Sequence, residues 1–420
     1  SHAIPRYRLP QAIIDAEIQR ITDMGVEWRY NTKIGRDIGL DRLAQDFRAV
    51  FVAIGAQRST VLDIEGEHAS NVVTGLKFLR DISEGKKVSP GRKVVVVGGG
   101  NTAVDAARAA RRLGSEVTII YRRTQSEMPA YPPEVEEAGR EGVKIEFLCA
   151  PVRVALNGSN KAVSVVCTRM RLGETDASGR PKPVPVSSSE FSLDLDSLIV
   201  AVGQEVDSTG MDVLTDKTGW IGTDGSGATS QVGIFAGGDA AAGPGTVSGA
   251  IGQGRMSALA IDAFLSGKKL AAFDKEEISF QDIPLNGRPK IARSNAASLD
   301  VKIRLENLDA EVKGGLQADA VNTEGSRCFG CGMEAPEFTG LKYFGKICIA
   351  CHNCEAVCPR EALSFPSFYK VTEGRWAYDF DYPKTPGEGM PNPLMKLSLI
   401  HISEPTRLLS ISYAVFCLKK

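Results

Sequence analysis

The stretch between residues 93 and 121 limits the fold more than any other part of the chain. It reads KVVVV, then GGGNTA, then VDAARAARRLG, then EVTIIY. Four β-branched residues in a row, Val94 to Val97, suit a strand buried on both faces of a parallel sheet. A glycine turn, an alanine-rich helix and a second apolar strand follow in order, which makes a βαβ unit. Within the turn, Gly98, Gly100 and Ala103 fit G-x-G-x-x-A, with Gly99, Asn101 and Thr102 completing the loop. The first glycine permits the tight turn. The second lets a pyrophosphate approach backbone N–H groups at the helix N-terminus. The small third residue lets helix and strand pack closely.

The end of the second strand bears on which dinucleotide is bound. An NAD site usually places Asp or Glu there for the ribose 2′-hydroxyl. Here the chain reads Tyr121-Arg122-Arg123-Thr124, with no carboxylate. Guanidinium groups match a 2′-phosphate in charge and in fork geometry, so Arg122 and Arg123 point to NADPH. A second site is suggested after the expected strand 234–236, where Gly238 and Asp239 sit in a Gly-Gly-Asp run. An Asp there can accept from the ribityl hydroxyls of a flavin, and the glycines admit its phosphates. Thr246 and Val247 would open a helix whose N-terminus faces the isoalloxazine ring.

Other elements are read from periodicity and punctuation. Helices are expected at 11–24 (Ile14, Ile18 and Ile21 on one face), 75–84 and 245–265. Strands are expected at 26–30, 49–54, 143–148, 162–171 and 198–202. The Gly-, Pro- and Ser-rich residues 173–189 read as an exposed turn, and 273–316 as a linker with short helices.

Six of the nine cysteines fall between Cys328 and Cys358. Such clustering in a chain of 420 residues suggests metal rather than disulfides, and hence a reducing, cytoplasmic setting. Cys348, Cys351, Cys354 and Cys358, followed by Pro359, fit C-x2-C-x2-C-x3-C-P, the bacterial ferredoxin run for a [4Fe–4S] cluster. Cys328 and Cys331 add one pair, and Glu334 stands where a third thiolate would be needed. Cys328 or Cys331 completes the first cluster, leaving Cys358 for a second, or the two ligate nothing. His352 within the run reads as a surface residue, and Cys149 and Cys167 as buried apolar thiols. A formal net charge of -1 gives no electrostatic reason to expect nucleic acid, and no apolar run is long enough for a membrane span.

Five motifs in order carry a family resemblance: IPRYRLP, AIGAQ, VVGGGNTAVDAARAARRLG, YRRTQSEMPA and IFAGGDAAAGPGTVSGAIGQG. From about Ile4 to Gly267 the chain resembles the glutamate synthase small-subunit family of NADPH-dependent FAD and iron–sulfur oxidoreductases. The resemblance implies an α/β fold with two Rossmann-like, glutathione-reductase-like nucleotide domains, one inserted in the other. A small C-terminal ferredoxin-like iron–sulfur domain would follow. Gly55 and Gly203 would mark the two crossings. The implied layout is FAD domain 1–74, NADPH domain 75–205, FAD domain again 206–270, linker 271–320 and [4Fe–4S] domain 321–396. Residues 397–420 resemble a translated sequencing adapter and are set aside with His401 and Cys417. The first FAD fingerprint and the family's usual N-terminal iron–sulfur region are not in the sequence. Some members carry a C-terminal ferredoxin-like region introduced by a run like Arg327–Gly332. The longer segment between that pair and the main run departs from the pattern.

The three implied cofactors, FAD, NADPH and one or two [4Fe–4S] clusters, form a relay. NADPH gives two electrons together as hydride, whereas a cluster takes one, and a flavin converts between them. No side-chain acid, base or nucleophile is required, so no catalytic residue is expected. The expected partner is an electron-acceptor protein or a large catalytic subunit. Two other readings stand beside this one. One is the glutamate synthase small subunit itself, and the other is a relay or assembly module without turnover.

Overall fold

The computed structural model describes residues 3–175, 179–269, 291–326, 369–372, 375–378 and 414–419. The six clustered cysteines and His352 lie outside them, as does His401. The chain divides into two units, one of Ser1–Gly267 with Leu299–Val312 and Leu408–Lys420, the other of Lys268–Ser298 with Lys313–Arg407.

The first unit opens with α1 (Gln11–Asp23), α2 (Leu40–Asp46) and β1 (Phe47–Ala53), then the short β2 (Arg58–Ser59) and β3 (Val72–Thr74). Next come α3 (Gly75–Ser83), β4 (Lys93–Val97), α4 (Asn101–Arg112), β5 (Glu116–Tyr121), α5 (Pro132–Arg140) and β6 (Lys144–Phe147). Strands β7 (Cys149–Leu156), β8 (Ala162–Thr175), β9 (Pro181–Pro185), β10 (Phe191–Asp194), β11 (Ser197–Val200) and β12 (Gln204–Glu205) follow. The unit closes with β13 (Ile234–Ala236), α6 (Asp239–Ala242), α7 (Val247–Leu265) and α8 (Val301–Glu306). In the second unit, α9 (Ala318–Ser326) and the antiparallel pair β14 (Tyr369–Thr372) and β15 (Arg375–Tyr378) are described.

Strands β3-β11-β4-β5-β6 form one parallel sheet. Alternation along β4 explains its four valines. Val94 and Val96 face α3, α4 and α5, while Val95 and Val97 face the layer built from β7, β8 and β10. A strand covered on both faces has no use for a polar residue. Ala103, Ala106, Ala107 and Ala110 are fully buried along α4, and their small side chains bring that helix close to the sheet. This sheet takes in Val72–Thr74, so it begins earlier than the expected boundary at residue 75.

The parallel sheet is inserted between two neighbours of another. β1 and β13 pair in parallel, Val52 opposite Ala236. The chain leaves through β2 and returns through β12, and these two pair antiparallel, Ser59 opposite Gln204 and Arg58 opposite Glu205. On its other side β1 pairs antiparallel with β16 (Ala414–Lys419), which belongs to the tail set aside above, with Val50 opposite Cys417. An exposed edge of backbone N–H and C=O groups takes up any short extended apolar run, so this pairing carries no functional weight. No helix among the described residues is long and apolar enough to cross a membrane.

Three expectations are corrected. Residues 26–30 make no ladder among the described residues, because no strand runs beside them. Instead the Trp28 indole donates to Thr22 Oγ1 at 2.9 Å and its ring stacks on Tyr30. Residues 173–189 are not a bare turn, since β8 continues to Thr175 and β9 pairs with it, Arg171 opposite Val184. Proline lacks an N–H, and with Pro181, Pro183 and Pro185 at alternate positions those positions need no donor on an edge strand. Part of the expected linker is an integral piece of the first unit. Leu299–Val312 groups with Ser1–Gly267, and Val312 N donates to Tyr7 O at 3.2 Å.

What holds that piece is a buried ion cluster. Arg8, Arg108, Arg112 and Arg304 meet Asp105, Glu134, Glu137 and Glu141. Arg108 donates to Glu141 from Nη2 at 2.7 Å and from Nε at 3.1 Å, and also pairs with Glu134. Arg112 Nη2 reaches Glu141 at 3.0 Å, and Arg304 pairs with Glu137. Arg8 binds the Asp105 carboxylate at 2.8 and 2.9 Å. The Tyr7 ring, fully buried, lies 3.9 Å from the Arg112 guanidinium carbon and 4.8 Å from that of Arg108. Burial pushes the Glu141 carboxyl upward, but the hydrogen bonds from Arg108 and Arg112 outweigh it and hold the group below its ordinary value.

Removing one member strands its partners in low dielectric. Glu141→Leu should therefore destabilise the protein by about 3–5 kcal/mol, read as a shift in the urea midpoint. Glu116→Gln, whose pair is exposed, should stay within about 0.5 kcal/mol. Because the folded Glu141 carboxyl is depressed, its contribution is complete above the unfolded pKa near about 4.3 and is lost as pH falls below it. Wild type should lose stability through that acid range more steeply than Glu141→Leu.

Candidate nucleotide-binding site

The turn between β4 and α4 is shaped by what each glycine must avoid. Gly98 has φ 144°, and a Cβ there would lie 2.2 Å from Ala201 O. Its N–H donates to Ile120 O at 3.1 Å, fixing the turn to the next strand. A Cβ on Gly99 would strike the Tyr121 ring at 2.4 Å, and Tyr121 is itself held by its hydroxyl donating to Glu127 O at 2.7 Å. Gly100 is the N-cap of α4 and has open space in front of it, with nothing within 4 Å of a Cβ. No side chain caps this helix, so its first N–H groups and the positive end of its dipole face that opening. Ala103 is fully buried beneath Gly98. Asn101 Oδ1 accepts from Tyr131 N at 2.9 Å, and Thr102 Oγ1 accepts from Gln204 Nε2 at 3.0 Å.

The two arginines at the end of β5 do not share a role. Arg122 is exposed. Arg123 is 3 % exposed, and its Nε donates to Pro181 O at 2.8 Å, which fastens β9 to the sheet. Thr124 then caps a short turn over Gln125–Glu127, with Glu127 reaching back to Thr124 N at 3.0 Å. Hydrogen bonds from Thr124 and Ser126 hold the Glu127 carboxyl below its ordinary value.

At the end of β13, Gly237 N donates to Val52 O at 3.2 Å, and a Cβ there would press on the Phe51 ring at 3.1 Å. Gly238, at φ 70°, donates its N–H to Gln253 Oε1 at 2.8 Å. Asp239 Oδ1 accepts from Gly245 N at 3.1 Å, which closes the turn ahead of α7. Burial raises the Asp239 carboxyl above its ordinary value, opposed only by that one backbone donor. Such a group gains from further donors, and ligand hydroxyls are of the right kind. Thr246 caps α7 by accepting from Gly249 N at 3.1 Å, and Val247 is the first residue of that helix. Gly237, Gly238, Asp239 and the start of α7 therefore fit the flavin end of an FAD site.

A family model described as pyridine nucleotide-disulphide oxidoreductase matches residues 17–254. The chain belongs to that family. It is 41 % identical over 312 residues to the NADPH-Fe(3+) oxidoreductase subunit beta of Geobacter sulfurreducens, covering 67 % of this chain and 46 % of that one. It is 34 % identical over 282 residues to the glutamate synthase [NADPH] small chain of Escherichia coli, covering 61 % and 58 %. The chain thus spans about half the length of these relatives, and the resemblance to the glutamate synthase small-subunit group holds. Among solved structures, FprA of Mycobacterium tuberculosis in complex with NADPH superposes with TM-score 0.52 at 19 % identity, over 63 % of this chain and 75 % of that one. The fold is accordingly that of the FAD- and NAD(P)-binding reductases.

Sequence reasoning did not single out Tyr121, Gln204 and Gln253, which pack against or bond Gly99, Thr102 and Gly238. Tyr121 was legible as the strand's last apolar residue but not as the wall behind Gly99. Gln204 and Gln253 act across gaps of 102 and 15 residues, and no local pattern marks them.

Gly98→Ala and Gly100→Ala should separate strain from ligand contact. The first should destabilise the folded protein by about 1–3 kcal/mol, read in thermal melts. The second should cost about 1 kcal/mol or less yet weaken NADP+ binding on the order of tenfold in calorimetry, because its methyl fills the space in front of α4.

Proposed function

We propose that this chain is the NADPH-oxidising, flavin-bearing part of an iron–sulfur oxidoreductase that hands electrons singly to a partner protein. The observation that carries the reading is the glycine turn opening on the uncapped N-terminus of α4, with the exposed Arg122 at the end of the neighbouring strand. Backbone N–H groups there suit a pyrophosphate, and a guanidinium one strand over suits a 2′-phosphate. Gly98, Gly99, Gly100, Asn101, Thr102 and Ala103 form the cradle, and Arg122 supplies the charge. Arg123 supports the site through β9 rather than by touching the nucleotide.

Gly238, Asp239, Thr246 and Val247 would hold the flavin end of FAD. Bound there, FAD supplies acceptance of hydride and release of single electrons. The protein's own work is placement. Asp239 fixes the turn that starts α7, Gln253 fixes Gly238, and the β2/β12 ribbon joins the two nucleotide domains. Cys348, Cys351 and Cys354 would hold a [4Fe–4S] cluster whose fourth thiolate is Cys358, or Cys328 or Cys331 with Cys358 then left for a second cluster. The relative named as a beta subunit supports a partner protein, and thiolate ligation favours a reducing compartment such as the cytoplasm.

Arg122→Gln should lower kcat/KM for NADPH by roughly 10–100-fold, the worth of one charge-assisted hydrogen bond, with NADH changed less than about twofold. Arg123→Gln should lower thermal stability and affect both nucleotides alike. Equal loss with NADPH and NADH in Arg122→Gln would remove the case for NADPH. Anaerobic titration with NADPH should bleach the flavin absorption and give a reduced-cluster EPR signal, which Cys351→Ser should abolish while dye-linked NADPH oxidation persists. Bleaching with no cluster signal in the unsubstituted protein would sink the relay.

A further inference from the structure

Thr102 sits in the first turn of α4, and its side chain is held from two sides. Its methyl group packs where the Cβ of residue 75 would be, since a Cβ on Gly75 would lie 3.0 Å from Thr102 Cγ2. Its hydroxyl oxygen accepts from Gln204 Nε2 at 3.0 Å. Both side chains are half-buried. The hydrogen bond from Gln204 uses one lone pair of the Thr102 oxygen. A hydroxyl carries a single hydrogen, and a donor on the lone-pair side turns that hydrogen away from it. Among the described residues no acceptor takes the Thr102 hydrogen, neither the Gly98 carbonyl one turn back nor any side chain.

Gln204 is itself placed by backbone. It belongs to β12, paired with Ser59 of β2, in the ribbon by which the chain returns from the inserted domain. The residue before it is glycine because a Cβ at Gly203 would lie 2.8 Å from Thr60 Oγ1, and Thr60 N donates to Gly203 O at 3.1 Å. The ribbon is thereby drawn close enough for Gln204 to reach α4.

We propose that Gln204 is a positioning residue for the nucleotide. By donating to Thr102 Oγ1, it directs the Thr102 hydroxyl hydrogen outward from the first turn of α4, to be given to the dinucleotide pyrophosphate. The inference rests on the dinucleotide reading of the α4 turn and adds a residue that no sequence motif assigns. A carboxamide suits this task because it presents N–H to the hydroxyl oxygen. A carboxylate at the same position would instead accept the hydroxyl hydrogen and set a negative charge beside the phosphates.

The test uses two probes on the purified flavoprotein, NADP+ and adenosine 2′-monophosphate, which has the 2′-phosphate but no pyrophosphate. Gln204→Leu should raise the Kd for NADP+ about five- to tenfold, and Gln204→Glu by roughly 10–100-fold. Both variants should bind adenosine 2′-monophosphate within about twofold of the parent, which also reports that they are folded. Thr102→Val should match Gln204→Leu, and the double variant should be no weaker than Thr102→Val alone. KM for NADPH should rise with kcat little changed in Gln204→Leu. Unchanged NADP+ affinity in Gln204→Leu, equal loss of both probes, or additive losses in the double variant would each overturn the proposal. Failure of the unsubstituted protein to bind NADP+ would overturn the dinucleotide reading itself, and this inference with it.

Discussion

Four guanidinium groups and four carboxylates meet around α4, α5 and α8, all but the partly exposed Arg8 with almost no access to water. Arg108 and Glu141 are each 1 % exposed, and their fork of hydrogen bonds is the centre of the cluster. Burying charge costs several kcal/mol per ion, so such a cluster persists only when every member is paired at once. That condition fixes relative positions. The N-terminal strap brings Arg8 and Tyr7, α4 brings Asp105, Arg108 and Arg112, α5 and its C-terminal end bring Glu134, Glu137 and Glu141, and α8 brings Arg304. Shifting any of these elements would leave a charge unpaired, and α4 is the helix whose uncapped N-terminus opens in front of Gly100.

The other face of α4 is governed by size rather than charge. Its fully buried alanines press against the parallel sheet, which sets the height of the helix over β4 and so the tightness of the glycine turn. Gly98 and Gly99 have no room for a side chain, whereas Gly100 does and faces outward. The same three-glycine run thus divides its work. Two glycines answer to the protein's own packing, and one leaves space for a ligand.

Much of this was legible from local pattern. The KVVVV strand, the turn and the alanine-rich helix stand where periodicity put them, as do β13 and α7. Where pattern misled, the reason was a partner it could not see. Residues 26–30 have strand propensity but no neighbouring strand among the described residues. Residues 173–189 look like a turn by composition, yet alternate prolines leave the intervening N–H groups free to pair with β8. Leu299–Val312 has the weak periodicity of a linker because it is held by charge, backbone bonds and the scattered apolar contacts of Leu308 and Val312 rather than by one continuous apolar face.

The sequence by itself determined the βαβ unit, the glycine turn ahead of α4 and the presence of cations rather than a carboxylate at the end of β5. Each depends on residues within one turn or strand of each other, where chain geometry dictates who can meet. Only the tertiary structure decided which arginine faces solvent, that Gln204 stands over Thr102, and that Arg304 pairs with Glu137 across 167 residues of chain. Those outcomes depend on how the crossover ribbon and the α8 segment return to α4. Arg122 and Arg123 lie in the bend just past β5, and β9 closing over that bend holds Arg123 through Pro181 O while Arg122 stays in solvent.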